Sequence, residues 1–75
     1  NIYVADERNH CIRRINADNT VETVLGTPGT SGYQDGDVET ALLKRPRGVT
    51  VDDKYLYIAD YGNARIRKVA LKVLK

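Results

Sequence analysis

The feature that most constrains the fold is an internal duplication. Residues 1–15 and 55–69 resemble each other at a constant offset of 54 positions. A repeat of this length, in apolar segments rich in β-branched and aromatic residues, is typical of chains that stack supersecondary units. Because 75 residues are not a whole number of such units, we expect the chain to be part of something longer. The shared positions are Tyr3/Tyr57, Ala5/Ala59, Asp6/Asp60, Asn9/Asn63, Ile12/Ile66 and Arg13/Arg67.

The periodicity predicts six short strands, separated by residues that favour turns. Connections of about three to five residues join the first three into an antiparallel meander. A glycine- and proline-containing stretch from Gly26 to Pro46 then interrupts the pattern and predicts a long connection. Within it, Asp37 to Lys44 is predicted to form one or two helical turns, with Asp37 as the N-cap. The predicted strands are 1–5, 10–15, 20–25, 48–52, 55–59 and 64–69.

Superposing the two copies defines the repeating unit. Residues 48–52, 55–59 and 64–69 supply its first three strands, and 20–25 shows the fourth strand in the preceding copy. The prediction is therefore an all-β fold of antiparallel four-stranded β-propeller blades, containing strands two to four of one blade and strands one to three of the next. Within one propeller domain, we expect a partial blade at 1–25, an inter-blade loop at 26–46 and a partial following blade at 47–75.

The duplicated segments resemble the NHL repeat, which is named after an Asn-His-Leu-like triplet. Asn9-His10-Cys11 is close to that triplet, whereas the second copy, Asn63-Ala64-Arg65, keeps only the asparagine. The resemblance covers almost the whole chain, about one and a third repeats. It implies a scaffold fold whose members are known as protein-interaction domains and sometimes as RNA-binding domains. A related group contains a zinc-dependent lyase.

Composition limits the alternatives. The net charge of +2, from 12 basic and 10 acidic residues, is too balanced to indicate nucleic-acid binding by itself. A single cysteine cannot form an internal disulfide and fits a reducing compartment. A single histidine argues against a Cys/His metal site, so no metal or other cofactor is expected. No apolar run approaches the roughly 18 residues of a membrane span.

Two charged pairs belong to the repeat itself. Asp6 and Asp60 end equivalent strands, and Arg13 and Arg67 follow seven residues later in the next strand. A charged pair across each hairpin would fix its register. Since function usually lies where copies differ, these pairs are interpreted as structural.

His10 and Cys11 are replaced by Ala64 and Arg65 in the second copy. Adjacent strand residues point to opposite faces, so the two are not expected to act together as base and nucleophile or as metal ligands. The stretch from Gly26 to Gly32 lacks the lysine of a phosphate-binding loop, and the acidic run from Asp35 to Glu39 lacks the spacing of a calcium loop. No catalytic residue is therefore predicted.

The functional hypothesis rests on one face of the predicted propeller. Connections between blades and between second and third strands emerge there, and such loops commonly carry function. We expect a non-catalytic scaffold that contacts a protein, either another chain of an assembly or the rest of its own propeller. Binding of RNA through Arg45 and Arg47 is the first alternative, and a framework role in a metal-dependent propeller enzyme is the second. The predicted partner-binding residues are Arg8, Tyr33, Gln34, Asp35, Asp37 and Tyr61.

Overall fold

A computed structural model describes residues 2–35, 38 and 40–74. The described residues contain no α-helix and fold into six strands. Each strand begins and ends within one residue of its predicted bounds, because β-branched and aromatic residues favour the extended backbone. The strands are β1 (Ile2–Asp6), β2 (Cys11–Ile15), β3 (Val21–Gly26), β4 (Gly48–Val51), β5 (Tyr55–Asp60) and β6 (Arg65–Ala70).

The strands form two antiparallel sheets of three strands each. Sheet 1 has the order β1-β2-β3, and sheet 2 has the order β4-β5-β6. Equivalent hairpins share one register, since Ala5 pairs with Ile12 in sheet 1 and Ala59 pairs with Ile66 in sheet 2. The prediction of an all-β, antiparallel architecture is confirmed, and the 54-residue offset relates the two hairpins.

Each of these hairpins turns through a short 3-10 segment. The segments are Glu7–Asn9 and Tyr61–Asn63, and the residues that end them, His10 and Ala64, have the left-handed φ angles of 59° and 54°. His10 therefore lies outside β2, which begins at Cys11, one residue later than predicted. The left-handed turn reverses the chain within four residues, and this reversal brings the start of the following strand beside the end of the preceding one.

The long connection differs from its prediction. Asp37, the proposed N-cap, lies outside the described residues. Leu42 forms an antiparallel bridge with Gln34 instead of entering a helical turn, and Leu43 accepts a backbone hydrogen bond from Gly32. The extended backbone places the alternate residues Ala41 and Leu43 in the core, which a single helical turn would not do.

The core lies between the two sheets. Sheet 1 packs one face against sheet 2, and the long connection adds side chains to the same cluster. The pairing of β2 with β3 is irregular between Ile12 and Arg13, so Val24 has no pairing partner in β2. The Val24 side chain is buried in the core. No helix in the described part of the chain is long and apolar enough to cross a membrane. The buried apolar cluster consists of Ile12, Val24, Leu25, Ala41, Leu43, Leu56 and Ile58.

Candidate partner-binding face

The two 3-10 turns and the long connection meet at one end of the molecule. The amide of Gly29 donates to the carbonyl of Asn9 at 2.9 Å. At the second turn, the amide of Gly62 donates to the carbonyl of Lys44 at 2.8 Å. The Asn63 side chain also donates to the carbonyl of Gly32 at 2.8 Å. We call this end the loop face, comprising residues 7–10, 27–35, 44–47 and 61–65.

A buried ion pair supports the loop face in the second repeat. The Asp60 carboxylate is inaccessible to solvent, and its Oδ2 accepts a hydrogen bond from Arg67 Nη1 at 2.6 Å. Asp60 also accepts hydrogen bonds from the Lys44 amide and the Asn63 side chain, both at 2.8 Å. Arg67 continues into the long connection, where it donates to Asp35. The pair therefore joins the sheet, the turn and the connection.

The equivalent pair in the first repeat is more exposed. Arg13 Nε donates to Asp6 Oδ2 at 2.9 Å, and both side chains retain 28% of their accessible surface. Hydrogen bonds from Asn9 and from Arg13 hold the pKa of Asp6 below its ordinary value of 3.8, against the opposing effect of partial burial. The structure thus brings together the two members of each pair, in environments of very different solvent access.

Arg47 contacts the same position of both repeats. Its Nε donates to Glu7 Oε2 at 3.2 Å, and its guanidinium lies 3.7 Å from the ring centroid of Tyr61, which is the counterpart of Glu7 at the 54-residue offset. Arg45 shares the same Glu7 oxygen, at 3.1 Å. The hydrogen bond from Arg47, supported by the charge of Arg45, holds the pKa of Glu7 below its ordinary value of 4.5. The two arginines proposed for RNA binding therefore share one carboxylate.

A second tyrosine ring of the loop face is also stacked on arginine. The guanidinium of Arg65 is 4.4 Å from the ring centroid of Tyr33, and the guanidinium of Arg67 is 4.8 Å from it. The Tyr33 hydroxyl donates to Asp35 at 2.9 Å, which, together with Arg67, holds the pKa of that carboxyl below 3.8. Tyr33 and Tyr61 remain 47% and 55% exposed. Cation–π contacts thus hold two half-exposed tyrosine rings in place on the loop face.

The other residues proposed for partner binding contribute differently. Arg8 is exposed in the first 3-10 turn. Gln34 is exposed, and its backbone carbonyl accepts hydrogen bonds from Arg67 and Leu42. Asp37 lies outside the described residues, so its proposed role stays a prediction.

His10 and Cys11 do not form a joint site. The Cys11 side chain is buried in sheet 1, and this burial raises the pKa of its thiol. His10 is half-buried in its turn, where Nδ1 accepts a hydrogen bond from the Arg45 amide at 3.0 Å. Among the residues that the structure describes, no group of three His, Cys, Asp or Glu side chains is arranged to hold a metal ion.

Sequence reasoning missed Glu7 and the stacking of Arg47 and Arg65. All three contacts join residues that are far apart in sequence, such as Glu7 and Arg47, so local patterns carry no sign of them. Comparison of the two copies offered one signal. The equivalent positions 7 and 61 carry different residues, Glu7 and Tyr61, and so do positions 11 and 65, Cys11 and Arg65.

Comparisons with known proteins found no matching family model. Over 72 residues the chain is 36% identical to Protein SUPPRESSOR OF QUENCHING 1, chloroplastic, from Arabidopsis thaliana, covering 93% of the chain and 7% of that protein. Over 72 residues it is 31% identical to NHL repeat-containing protein 2 from Gallus gallus, covering 96% of the chain and 10% of that protein. The chain therefore spans about a tenth or less of the curated relatives it matches.

Proposed function

We propose that the chain is a segment of an NHL-type β-propeller. Residues 1–25 and 47–75 would be parts of successive blades, and residues 26–46 would be the connection between them. The similarity to an NHL repeat-containing protein over 96% of the chain supports this assignment. The shared register of the two hairpins and the packing of one sheet on the next also support it, since propeller blades stack through their sheet faces.

In this proposal the segment is non-catalytic and binds a protein partner through the loop face. The observation that carries the proposal is the pair of arginine-stacked, half-exposed rings, Tyr61 on Arg47 and Tyr33 on Arg65. Tyrosine and arginine are enriched among residues that dominate protein-protein affinity. Rings that are already fixed lose little side-chain entropy when a partner binds. The acidic groups Glu7 and Asp35 balance the charge beside them, which suits a mixed polar partner surface.

The contacts of Arg45 and Arg47 favour a protein over RNA as the partner. Both guanidinium groups donate to the same oxygen of Glu7, and the negative charge of that carboxylate opposes the approach of a phosphate. RNA binding through these arginines would weaken steeply with added salt, since phosphate contacts release counterions. Binding that falls steeply with salt and is lost in the Arg45→Ala/Arg47→Ala double variant would replace the protein-partner proposal.

The proposal is tested with Tyr33→Ala and Tyr61→Ala, singly and together, in the native polypeptide. Partners are recovered with the unaltered protein, and the affinity of each is then measured by titration against every variant. We expect the double variant to lose about 30-fold or more in affinity for a genuine partner, because truncation of a hot-spot aromatic costs about 2 kcal/mol or more.

Val73→Ala is the matched control. Val73 is 49% exposed, similar to Tyr33, and belongs to the terminal 3-10 segment Leu71–Val73. That segment lies at the opposite end of sheet 2, where the Leu71 amide donates to the carbonyl of Lys54. Unchanged melting temperatures would exclude loss of the fold as the cause. Unaltered affinity of the double tyrosine variant for every partner would overturn the proposal.

A further inference from the structure

The imidazole of His10 ties the first repeat to the connection that follows it. His10 Nδ1 accepts a hydrogen bond from the backbone amide of Arg45 at 3.0 Å, across 35 positions of the sequence. A ring nitrogen that accepts a hydrogen bond carries no proton, so the imidazole in this contact is neutral and has its proton on Nε2. The second repeat has Ala64 at this position, which offers no side-chain acceptor. The contact therefore exists for one protonation state of one residue.

The backbone of Arg45 has a particular need for this contact. Its φ angle is 51°, in the left-handed region that is unfavourable for a residue with a Cβ. The residues around it are held by other groups, since the Lys44 amide donates to Asp60 and the Arg47 amide donates to a carbonyl of β5. At Arg45 itself, the acceptor is the imidazole of His10. A change in that acceptor would therefore act on one residue of the connection.

The charged groups around this contact leave His10 as the one expected to titrate in mild acid. Hydrogen bonds from Arg45 and Arg47 hold the pKa of Glu7 below 4.5, so this carboxylate stays ionised at about pH 5.5. Burial raises the pKa of the Cys11 thiol above its ordinary value of 9.0, so the thiol stays protonated. His10 is the single histidine of the sequence, and imidazole is the side chain that ordinarily changes charge between about pH 5 and pH 8. The charged groups are Glu7 and Arg8 in the first 3-10 turn, Lys44, Arg45 and Arg47 in the connection, and Asp60 at the end of β5.

We propose that His10 is a pH-sensitive latch, which holds the connection on the first repeat near neutral pH and releases it in acid. A protonated imidazole carries an N–H at both ring nitrogens, so it cannot accept the hydrogen bond of the Arg45 amide. Arg45 then leaves its left-handed conformation, and its guanidinium withdraws from Glu7. The release is local, because the bonds of the Lys44 and Arg47 amides involve no imidazole. The latch is a property of the free protein and does not depend on the proposed partner.

Hydrogen–deuterium exchange of the native polypeptide, read by mass spectrometry with fragmentation to single amides, tests the latch. Exchange is followed at about pH 7.5 and about pH 5.5, and each rate is compared with that of an unstructured peptide at the same pH. We expect the Arg45 amide to lose about fivefold in protection at the lower pH, which is the effect of one hydrogen bond. The Arg47 amide, which donates to a backbone carbonyl, should keep its protection and is the internal control.

His10→Asn is the matched variant. Its side-chain oxygen occupies the place of Nδ1 and accepts hydrogen bonds without titrating. Asparagine also adopts a φ angle of 59°, as found at position 10, more readily than most residues. We expect the Arg45 amide of this variant to stay protected at both pH values. His10→Ala removes the acceptor, so its Arg45 amide should have the lower protection at both.

The outcomes separate the latch from other effects of acid. A loss of protection in the unaltered protein that disappears from both His10 variants supports the proposal. Unchanged protection of the Arg45 amide between the two pH values overturns it. An equal loss in the unaltered protein and in His10→Asn also overturns it, because another titrating group then releases the connection. Partner titrations near neutral pH test the proposed function separately, so either proposal can fail while the other stands.

Discussion

Removal of the buried carboxylate at Asp60 should destabilise the protein far more than removal of its repeat counterpart, Asp6. Asp60→Ala leaves the Arg67 guanidinium, itself only 9% exposed, without its buried counter-ion. It also removes the acceptor of the Lys44 amide and of the Asn63 side chain. Asp6→Ala removes a carboxylate that retains 28% of its accessible surface, so water can replace it.

The magnitudes follow from this difference in solvent access. Loss of one partner from a buried ion pair costs about 3–5 kcal/mol, because the other charge stays buried. Arg67 still donates to Asp35 and to two backbone carbonyls, so the lower part of that range, about 3 kcal/mol, is expected. A partly exposed pair contributes about 1 kcal/mol or less, which sets the expectation for Asp6→Ala.

Urea unfolding of the native polypeptide and of both variants, followed by circular dichroism, measures the two changes in the free energy of unfolding. The expected difference between the variants is about 2 kcal/mol or more, from the same two ranges. Equal effects would refute the reasoning, because equal effects would mean that solvent access does not determine the contribution of the pair. The Asp6 variant also controls for the loss of a carboxylate at this position of the repeat.

Three further predictions concern the backbone and pH. Gly26→Ala should cost about 3 kcal/mol or more, because φ is 84° and a Cβ would lie 2.6 Å from the carbonyl oxygen of His10. Gly29→Ala, at φ 83° with no atom near the added Cβ, should cost only about 1 kcal/mol. Equal free energies of unfolding for the Gly26 and Gly29 variants would contradict this expectation. Ala64→Gly should stabilise the protein by about 0.5–1 kcal/mol, since the φ of Ala64 is 54°, in the left-handed region that glycine adopts more readily than alanine. A lowered melting temperature of this variant would exclude backbone strain at Ala64. Because the folded-state pKa of Glu7 is below 4.5, its stabilising effect is complete above about pH 4.5 and is lost as pH falls through the lowered value. Urea midpoints of Glu7→Gln should therefore decline less below about pH 4.5 than those of the unaltered protein, and parallel declines would argue against this role.

The sequence predicted the strands well and the long connection poorly, for related reasons. Strand positions follow from local preferences and from alternation, both of which are present in short windows such as Tyr55 to Ala59. The segment from Ala41 to Lys44 has ordinary helix formers, so local preference favoured a helical turn. Burial of Ala41 and Leu43 between the sheets decided its extended conformation, and that burial depends on residues far away in the chain.

The candidate site was only partly accessible to prediction. Tyr33 and Tyr61 were selected from their place in connecting segments, but their stacking on Arg65 and Arg47 was not foreseen. The bond between Glu7 and Arg47 joins residues 40 positions apart, which no local pattern reports. Only the folded connection brings these groups together.

The sequence by itself determined the repeat, the strands and the partners within each hairpin, because residues that are near in the chain form these features. The tertiary structure decided how equivalent residues differ. Ile12 and Asp60 are buried, whereas Ile66 and Asp6 occupy the equivalent places in the other hairpin and are exposed and partly exposed, respectively. The physical reason is that burial depends on what packs against a residue, and the two repeats of this chain have different neighbours.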